Sequence, residues 1–249
     1  MFVAKYNASG NDFVIFHDFI KYDRSELAKI LCDRHAGIGA DGLIVCVPHE
    51  HYDFEWQFYN DDGSEAEMCG NGSRACAHYA LIHNLAGQKM TFLTQAGPIS
   101  AEVDGDIVQS ELTTPQIIDQ EIKAFGKKWW LINTGVPHLV TFDANMSTFD
   151  LEEASQLRQK YNANVNIASV EKDHIKVRTY ERGVENETLA CGTGMAACYY
   201  KAFKMDLVDQ NPTTVIPTGG EHLTLAYNGT TITFKGKVTN TFNTQWDEA

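Results

Sequence analysis

At 249 residues the chain has room for one large domain or for two of about 120, and its 43% hydrophobic content supports a core at that length. Acidic residues outnumber basic ones 33 to 20, giving a formal charge of −13. No Lys/Arg-rich stretch stands out, which argues against nucleic acid or an anionic membrane as the main partner. The N-terminus, MFVAKYNASGNDF, lacks a basic segment followed by a long apolar run, and no apolar stretch approaches the roughly 20 residues of a membrane span. The expectation is a cytoplasmic chain. Its six cysteines, at 32, 46, 69, 76, 191 and 198, are then reduced thiols rather than three disulfides.

In chain order, Ser25–Cys32 carries a helical pattern, and Phe54–Tyr59 alternates as F-E-W-Q-F-Y, a strand signal. Cys69 opens a C-G-x-G motif, followed by SRACAHYALI, a run compatible with helix. Short β-rich runs come next: TFLT (91–94), ISAEV (99–103) and IVQSEL (107–112). The pattern then starts again. Leu151–Gln159 is helical, Ile175–Tyr180 alternates, Cys191 opens a second C-G-x-G, and MAACYYKAF follows as helix. HLTLAY (222–227) and TTITF (230–234) close the chain as strands.

This is an internal repeat. FYNDDGSEAEMCGNGSRACAHYA (58–80) matches TYERGVENETLACGTGMAACYYKA (179–202): a Tyr, a polar turn, C-G-x-G, and another Cys seven positions after the first. The two leading cysteines, 69 and 191, are 122 positions apart, and Thr91 and Gly97 fall on Thr213 and Gly219 at the same offset. Upstream, SGNDFVIF (9–16) is similar to TGVPHLVTF (134–142), with Asn11 against Val136. The expected fold is α+β: two pseudo-symmetric domains from a duplication, each a strand-rich sheet wrapped around one helix that begins at C-G-x-G. The copies divide near Pro115 and Gln116.

A cysteine at a helix start, with glycine one and three positions on, has distinctive chemistry. Unpaired backbone N–H groups there favour an anion, and the positive end of the helix dipole favours thiolate over thiol. Glycine lets a carboxylate approach the backbone. Two such ends about a pseudo-twofold axis would hold one carboxylate between two sulfurs, the arrangement of a two-base racemase. Other readings compete. Cysteine is often a small buried hydrophobe, which is the reading adopted for Cys76 and Cys198. A Cys69–Cys191 disulfide is a further alternative. Zinc is disfavoured because no C-x₂₋₄-C pair exists.

At these residues the chain resembles diaminopimelate epimerase. The resemblance spans nearly the whole sequence and rests on SGNDFV (9–14), DRHAGIGADGLIV (33–45), FYNDDGSEAEMCGNGSRA (58–75), PH (137–138), NVNIA (164–168) and YERGVENETLACGTG (180–194). It implies interconversion of LL- and meso-2,6-diaminopimelate, for lysine and cell-wall synthesis, with no metal, no pyridoxal phosphate and no other cofactor. It implies lobes of 1–115, joined by about 238–249, and 116–237, an active site in the cleft between them, and a homodimer. By motif, Cys69 and Cys191 resemble the acid/base pair, and Gly70, Asn71, Gly192 and Thr193 the cradle of the reacting carboxylate. Asn60, Asn166, Glu181 and Arg182 resemble the residues facing the distal amino-acid head, and Asn11 another substrate contact. His138 and Glu181 resemble groups that tune the thiols.

Each of these has a plainer reading. Asn11 and Asn60 adjoin Gly or Asp and suit turns, Glu181–Arg182 suits a solvated pair, and His138 after Pro suits a packed loop. Asn166 lies in a β-like run where Asn is disfavoured. Two positions depart from the family pattern: Val136 stands where many relatives carry Asn, and Gly42 where some carry Gln. Neither can supply a side-chain amide. The rival readings are a proline or hydroxyproline racemase-like enzyme, which needs no second polar head, and a non-catalytic two-lobe amino-acid-binding protein, which would leave Cα unexchanged with solvent.

Overall fold

The computed structural model describes residues 1–209 and 211–247. Gln210, within the expected second lobe, and Glu248 and Ala249, within the expected C-terminal segment, lie outside the described residues. The chain divides into two compact units, Met1–Ser110 together with the chain from Gly236 on, and Glu111–Lys235.

In the first unit, β1 (Phe2–Ala8) and β2 (Asn11–His17) form a hairpin turning through Ser9 and Gly10, with φ of 59° and 84°. Positive φ at both turn positions matches the twist of the flanking strands, and it pairs Asn11 with Ala8 at the mouth of the hairpin. Helix α1 (Ser25–Cys32) leads to β3 (Gly42–Val47), parallel to β2, and β4 (Phe54–Asn60) returns antiparallel. Helix α2 (Gly70–Ile82) leads to β5 (Lys89–Thr94), parallel to β4, and to the antiparallel strands β6 (Gly97–Asp104) and β7 (Ile107–Glu111). All six residues of β3 are buried because both of its faces are covered. Ile44 and Cys46 pack with Ala75, Cys76 and Ala77 of α2, while Leu43 and Val45 pack with Ala28 and Leu31 of α1.

The second unit runs through β8 (Gln116–Ala124), β9 (Lys127–Asn133), β10 (Pro137–Phe142), α3 (Leu151–Tyr161), β11 (Asn164–Val170), β12 (His174–Glu181), β13 (Asn186–Thr188), α4 (Gly192–Lys204), β14 (Thr213–Pro217), β15 (Leu223–Tyr227) and β16 (Ile232–Lys237). Strand β10 is parallel to β11 across α3, β11 is antiparallel to β12, and β12 is parallel to β14 across α4. From β1 to β7 the first unit has the same succession of pairings, with α2 in the place of α4. The sequence repeat is therefore a repeat of topology. One slot is filled differently: β8 lies antiparallel on β9, whereas the equivalent place on β1 is taken by β17 (Thr239–Gln245) from the far end of the chain.

The central helices are buried all round, ten of 13 residues in α2 and 11 of 13 in α4. Glycine and alanine make this possible by keeping the helix thin. The repeat loosens after the helices. Gly97 takes φ +108° at the start of β6, but in the longer β14–β15 connection the left-handed position is Gly220, at +79°, and not Gly219. The sequence match of Gly97 with Gly219 thus does not mark equivalent turns.

Candidate active site

In the first unit Cys69 is the N-cap of α2, with extended backbone angles (φ −144°, ψ 117°), and its sulfur accepts from Gly72 N at 3.4 Å. The thiol lies 3.6 Å from Asn11 Oδ1, to which it donates. Asn11 in turn donates through Nδ2 to Asp41 Oδ2 at 2.5 Å. The next residues of the motif are braced from behind. Arg74, fully buried, donates to Asn71 Oδ1 at 2.9 Å, to Ser9 Oγ in the β1–β2 turn at 2.7 Å and to Lys237 O at 3.1 Å. The backbone amides at the start of α2, Gly70 and Asn71, precede the first intrahelical bonds, which is where a helix offers donors to an anion. Asn60 closes β4, and its amide donates to Ser64 Oγ at 2.9 Å within its own turn. The structure does not join it to the Cys69–Asn11 pair.

In the second unit Cys191 is the N-cap of α4, again extended (φ −122°, ψ 108°) and 6% exposed. Its sulfur is 3.6 Å from Thr193 Oγ1, which is 2.9 Å from His138 Nε2. His138 Nδ1 faces Asn166 Nδ2 at 3.1 Å. The Asn166 amide has one orientation, because Nδ2 also donates to Leu139 O (3.0 Å) and Oδ1 accepts from Thr179 Oγ1 (2.9 Å). The closer of two amide donors decides the tautomer: Asn166 Nδ2 at 3.1 Å makes His138 Nδ1 the acceptor and leaves the proton on Nε2, which Asn164 Nδ2 approaches only to 3.4 Å. Burial, reinforced by the nearby charge of Arg182, lowers the His138 pKa to about 3, so the ring is neutral at physiological pH. The chain of donors runs Asn166 to His138 to Thr193, which frees the threonine hydroxyl proton to point at the Cys191 sulfur. His138 reaches that sulfur through Thr193, so its place is that of a positioning residue. The fit is close: a Cβ on Gly194 would overlap Asn166 Oδ1 and come within 3.2 Å of Thr179 Oγ1 and 3.3 Å of His138 Cε1.

The remaining residues lie around this cluster. Glu181 Oε2 accepts from Thr188 Oγ1 at 2.8 Å, across the β12–β13 pair. The Arg182 backbone N–H donates to Asn164 Oδ1 at 2.7 Å, and its guanidinium to Asn162 O at 3.2 Å. Asn166 is wholly buried with both ends of its amide engaged, so here it orders His138. Four further residues belong to the arrangement and were not singled out by the sequence reading: Asp41, Arg74, Thr134, which donates to Thr193 O at 2.8 Å, and Asn164. For Asn164 the signal was present, since NVNIA puts two asparagines on one face of a strand.

The other cysteines are packing groups. Cys76 and Cys198 are fully buried; burial raises the Cys76 pKa well above the usual thiol value and that of Cys198 to about 12. Cys46 Sγ lies 3.5 Å from Cys76 Sγ in the same core. At Gly42, a Cβ would come 2.6 Å from Phe58 Cε2 and 2.8 Å from Tyr59 O, so the Phe58 ring and β4 occupy the room a larger side chain would need. Val136 sits in the Thr134–Val136 turn, where Gly135 has φ 117°.

The sequence model described as diaminopimelate epimerase matches residues 3–118 and 130–240. A diaminopimelate epimerase of a Nitratiruptor species is 61% identical over 246 residues, 98% of each chain. The chain belongs to the diaminopimelate epimerase family. Each stretch matched by the diaminopimelate epimerase model contains one cysteine-capped helix, and the break between them, 119–129, spans most of β8 and its turn into β9. Among solved structures, a probable proline racemase from Agrobacterium radiobacter K84 superposes with TM-score 0.76 at 12% identity, covering 99% of this chain and 92% of that one. A phenazine biosynthesis protein of Bacillus anthracis does so with TM-score 0.75 at 16% identity, covering 98% of each. At those identities the likeness is one of fold. Among the described residues, no helix is long and apolar enough to cross a membrane.

Proposed function

We propose that the chain interconverts LL- and meso-2,6-diaminopimelate by proton transfer at one Cα, with Cys69 and Cys191 as the two acid/base groups and no added cofactor. The observation that carries the reading is the pair of cysteine-capped helix starts, one per repeat, in a chain of the diaminopimelate epimerase family. The two sulfurs also differ in one contact: beside the Gly72 N–H, Cys69 meets a carbonyl oxygen, which favours S–H, whereas Cys191 meets a hydroxyl able to donate, which favours S⁻. One thiol and one thiolate is the resting pair that a two-base reaction requires.

In the proposed reaction the α-carboxylate is held by the backbone amides that open α2 and α4, Gly70 and Asn71 with Gly192 and Thr193. The Cys191 thiolate takes the Cα proton as the C–H bond breaks and S–H forms. Charge moves onto the carboxylate, where the amides stabilise it. The Cys69 thiol then gives its proton to the opposite face, leaving the product and the mirror-image protonation state. The reverse direction exchanges the roles. Arg182 and Asn60 receive the distal amino-acid head with Glu181, and Asn11 adds a contact beside Cys69. Asn166 would have to release Leu139 O or Thr179 to join them. The reading includes lysine and peptidoglycan precursor synthesis in the cytoplasm, and a homodimer.

The test is incubation of the purified protein with LL-diaminopimelate in D₂O. Deuterium at Cα with formation of the meso isomer, unaffected by chelator or hydroxylamine, is the expected result. A Cα that keeps its proton would favour the binding-protein alternative. Exchange on proline in place of diaminopimelate would favour the racemase alternative.

A further inference from the structure

The motif DRHAGIGADGLIV supplies none of the reacting groups, yet its second aspartate, Asp41, lies one hydrogen bond from Asn11. Asp41 Oδ2 accepts from Asn11 Nδ2 at 2.5 Å and from the backbone N–H of Asp12 at 3.1 Å. Its Oδ1 accepts from Arg34 at 2.7 Å. Arg34 also grips both oxygens of Asp12, at 2.8 and 3.1 Å, and Lys5 reaches Asp12 Oδ2 at 2.7 Å and Gly39 O. The Asp41 backbone N–H closes the loop on Asp12 Oδ1 at 3.0 Å. The charged groups around Asn11 are thus Lys5 from β1, Asp12 from β2, and Arg34 and Asp41 from the segment between α1 and β3: two cations and two carboxylates, cross-bonded. Burial works against the Asp12 carboxylate, but the hydrogen bonds from Arg34 and Lys5 prevail and bring its pKa to about 2.

We infer that Asp41 is a positioning residue for Cys69: it fixes the side-chain amide of Asn11 so that the carbonyl oxygen, and not the NH₂, faces the sulfur. A carboxylate has no proton to give, so the end of the amide that meets it must be the NH₂. The opposite end, 3.6 Å from Cys69 Sγ, is then an acceptor. An acceptor holds the proton on sulfur, and a donor in the same place would pull it off. Asp41 therefore biases Cys69 toward the thiol, through Asn11. Arg34 makes this durable by holding Asp41 Oδ1 while the Asp12 N–H holds Oδ2, and Asp12 is itself held by Arg34 and Lys5, so moving the Asp41 carboxylate breaks several bonds at once.

The inference rests on the proposed epimerase reading only for the use made of the Cys69 proton; the bias itself can be measured on the thiol without any substrate. Iodoacetamide alkylation of the full-length protein is followed from neutral to alkaline pH, and Cys69 and Cys191 are quantified separately by peptide mass spectrometry. Asp41→Asn permits the Asn11 amide to turn over, and the Cys69 alkylation midpoint is expected to fall by about one pH unit while Cys191 is unchanged. Loss of the Asp41 charge would also lower that midpoint directly, so the variant is repeated on an Asn11→Leu background. Acting through Asn11, Asp41→Asn shifts the midpoint there by only the direct charge effect, clearly less than in the wild-type background. An equal shift in both backgrounds, or none in either, overturns the inference. If Asp41→Asn does not fold, the Asn11 side-chain amide of the wild-type protein, identified by NMR as the signal missing in Asn11→Leu, decides instead. Slow solvent exchange is expected of an NH₂ held on Asp41, and free exchange refutes it. Turnover of LL-diaminopimelate by the wild-type protein is scored separately, so a failed epimerase reading and a failed role for Asp41 give different patterns.

Discussion

His138 Nε2 and Thr193 Oγ1 lie 2.9 Å apart, and the imidazole is the donor, because its other nitrogen accepts from Asn166 at 3.1 Å, a closer contact than the 3.4 Å between Asn164 Nδ2 and Nε2. A neutral, fully buried histidine thus sets the direction in which the Thr193 hydroxyl points, and Cys191 lies 3.6 Å beyond it.

Thr193→Val tests this chain. The change keeps the shape of the side chain but strands a buried N–H on His138, at a cost of about 1–3 kcal/mol. It also removes the donor at Cys191, so the alkylation midpoint of that cysteine should rise and epimerisation should slow by at least about tenfold. Thr193→Ser, which retains the hydroxyl, should restore both. Urea unfolding and pH-resolved alkylation supply the two measurements, and a Cys191 midpoint identical in wild type and Thr193→Val would dismiss the hydroxyl as a factor.

The glycines at the two helix starts should differ in their tolerance of alanine. A Cβ at Gly194 overlaps an asparagine oxygen whose amide is held by three partners, so Gly194→Ala should cost about 1–3 kcal/mol and impair turnover by displacing His138. At Gly72 the nearest atoms, Cys69 Cβ and Ile44 Cδ1, are both 3.3 Å away, a gap that a few tenths of an ångström would relieve. Gly72→Ala should therefore lose under about 1 kcal/mol. Denaturation midpoints that put the two variants in the opposite order would contradict the packing described around Asn166.

Lys201 offers a pH-dependent test in α4. Its ammonium is buried, donates to Val140 O at 3.0 Å and lies 4.6 Å from the centre of the Phe142 ring. Burial lowers its pKa from 10.5 to about 8. Between pH 8 and 10.5 the unfolded chain holds the proton that the folded chain has lost, so this group makes stability rise with pH across that window. Below the window both states are charged, and the folded protein bears the full desolvation cost. Lys201→Met should accordingly be more stable than wild type at pH 7, by about 1–3 kcal/mol, with the difference shrinking toward pH 10. Urea titrations of both proteins at the two pH values measure it. Cys198, whose thiol pKa the Lys201 charge lowers, ionises differently in the two proteins, so the comparison is made on a Cys198→Ala background.

Some of this was readable in the chain and some was not, for physical reasons. Both cysteine-capped helices were legible because C-G-x-G followed by a run of small residues is a local signal, and duplication doubled it. Strands β8 and β17 gave no such signal. QIIDQEIKA is mostly exposed, TNTFNTQ is polar, and both are held by backbone pairing with a neighbour. At the site, residue types were legible but partners were not. Asn166 looked like a ligand because Asn is rare in strands, but its amide is engaged by a histidine, a threonine and a backbone carbonyl from elsewhere in the fold. Asp41 escaped notice because its role exists only once hairpin β1–β2 brings Asn11 against a segment 30 residues away.

Arg182 gives the most direct test of substrate binding. Its backbone N–H is fixed on Asn164 Oδ1 at 2.7 Å, a bond that any side chain at this position would keep. Its guanidinium makes one longer bond, to Asn162 O at 3.2 Å, which leaves most of its five donors for other partners. Arg182→Met should therefore disturb folding by no more than about 1 kcal/mol. If the guanidinium holds the distal carboxylate of diaminopimelate, the same change removes a charge-assisted contact of about 1.5–3 kcal/mol, or about 10- to 150-fold in affinity. Turnover should drop as well, because the distal grip holds Cα in place for proton transfer. The nearby charge of Arg182 also lowers the His138 pKa, but burial is the larger cause, so the ring stays neutral in the variant and the Thr193 hydrogen bond survives. A solvated arginine with no substrate role predicts an effect within about 0.5 kcal/mol. Steady-state kinetics on LL-diaminopimelate separate the two readings, and a kcat/KM equal to that of the wild type would remove Arg182 from the site.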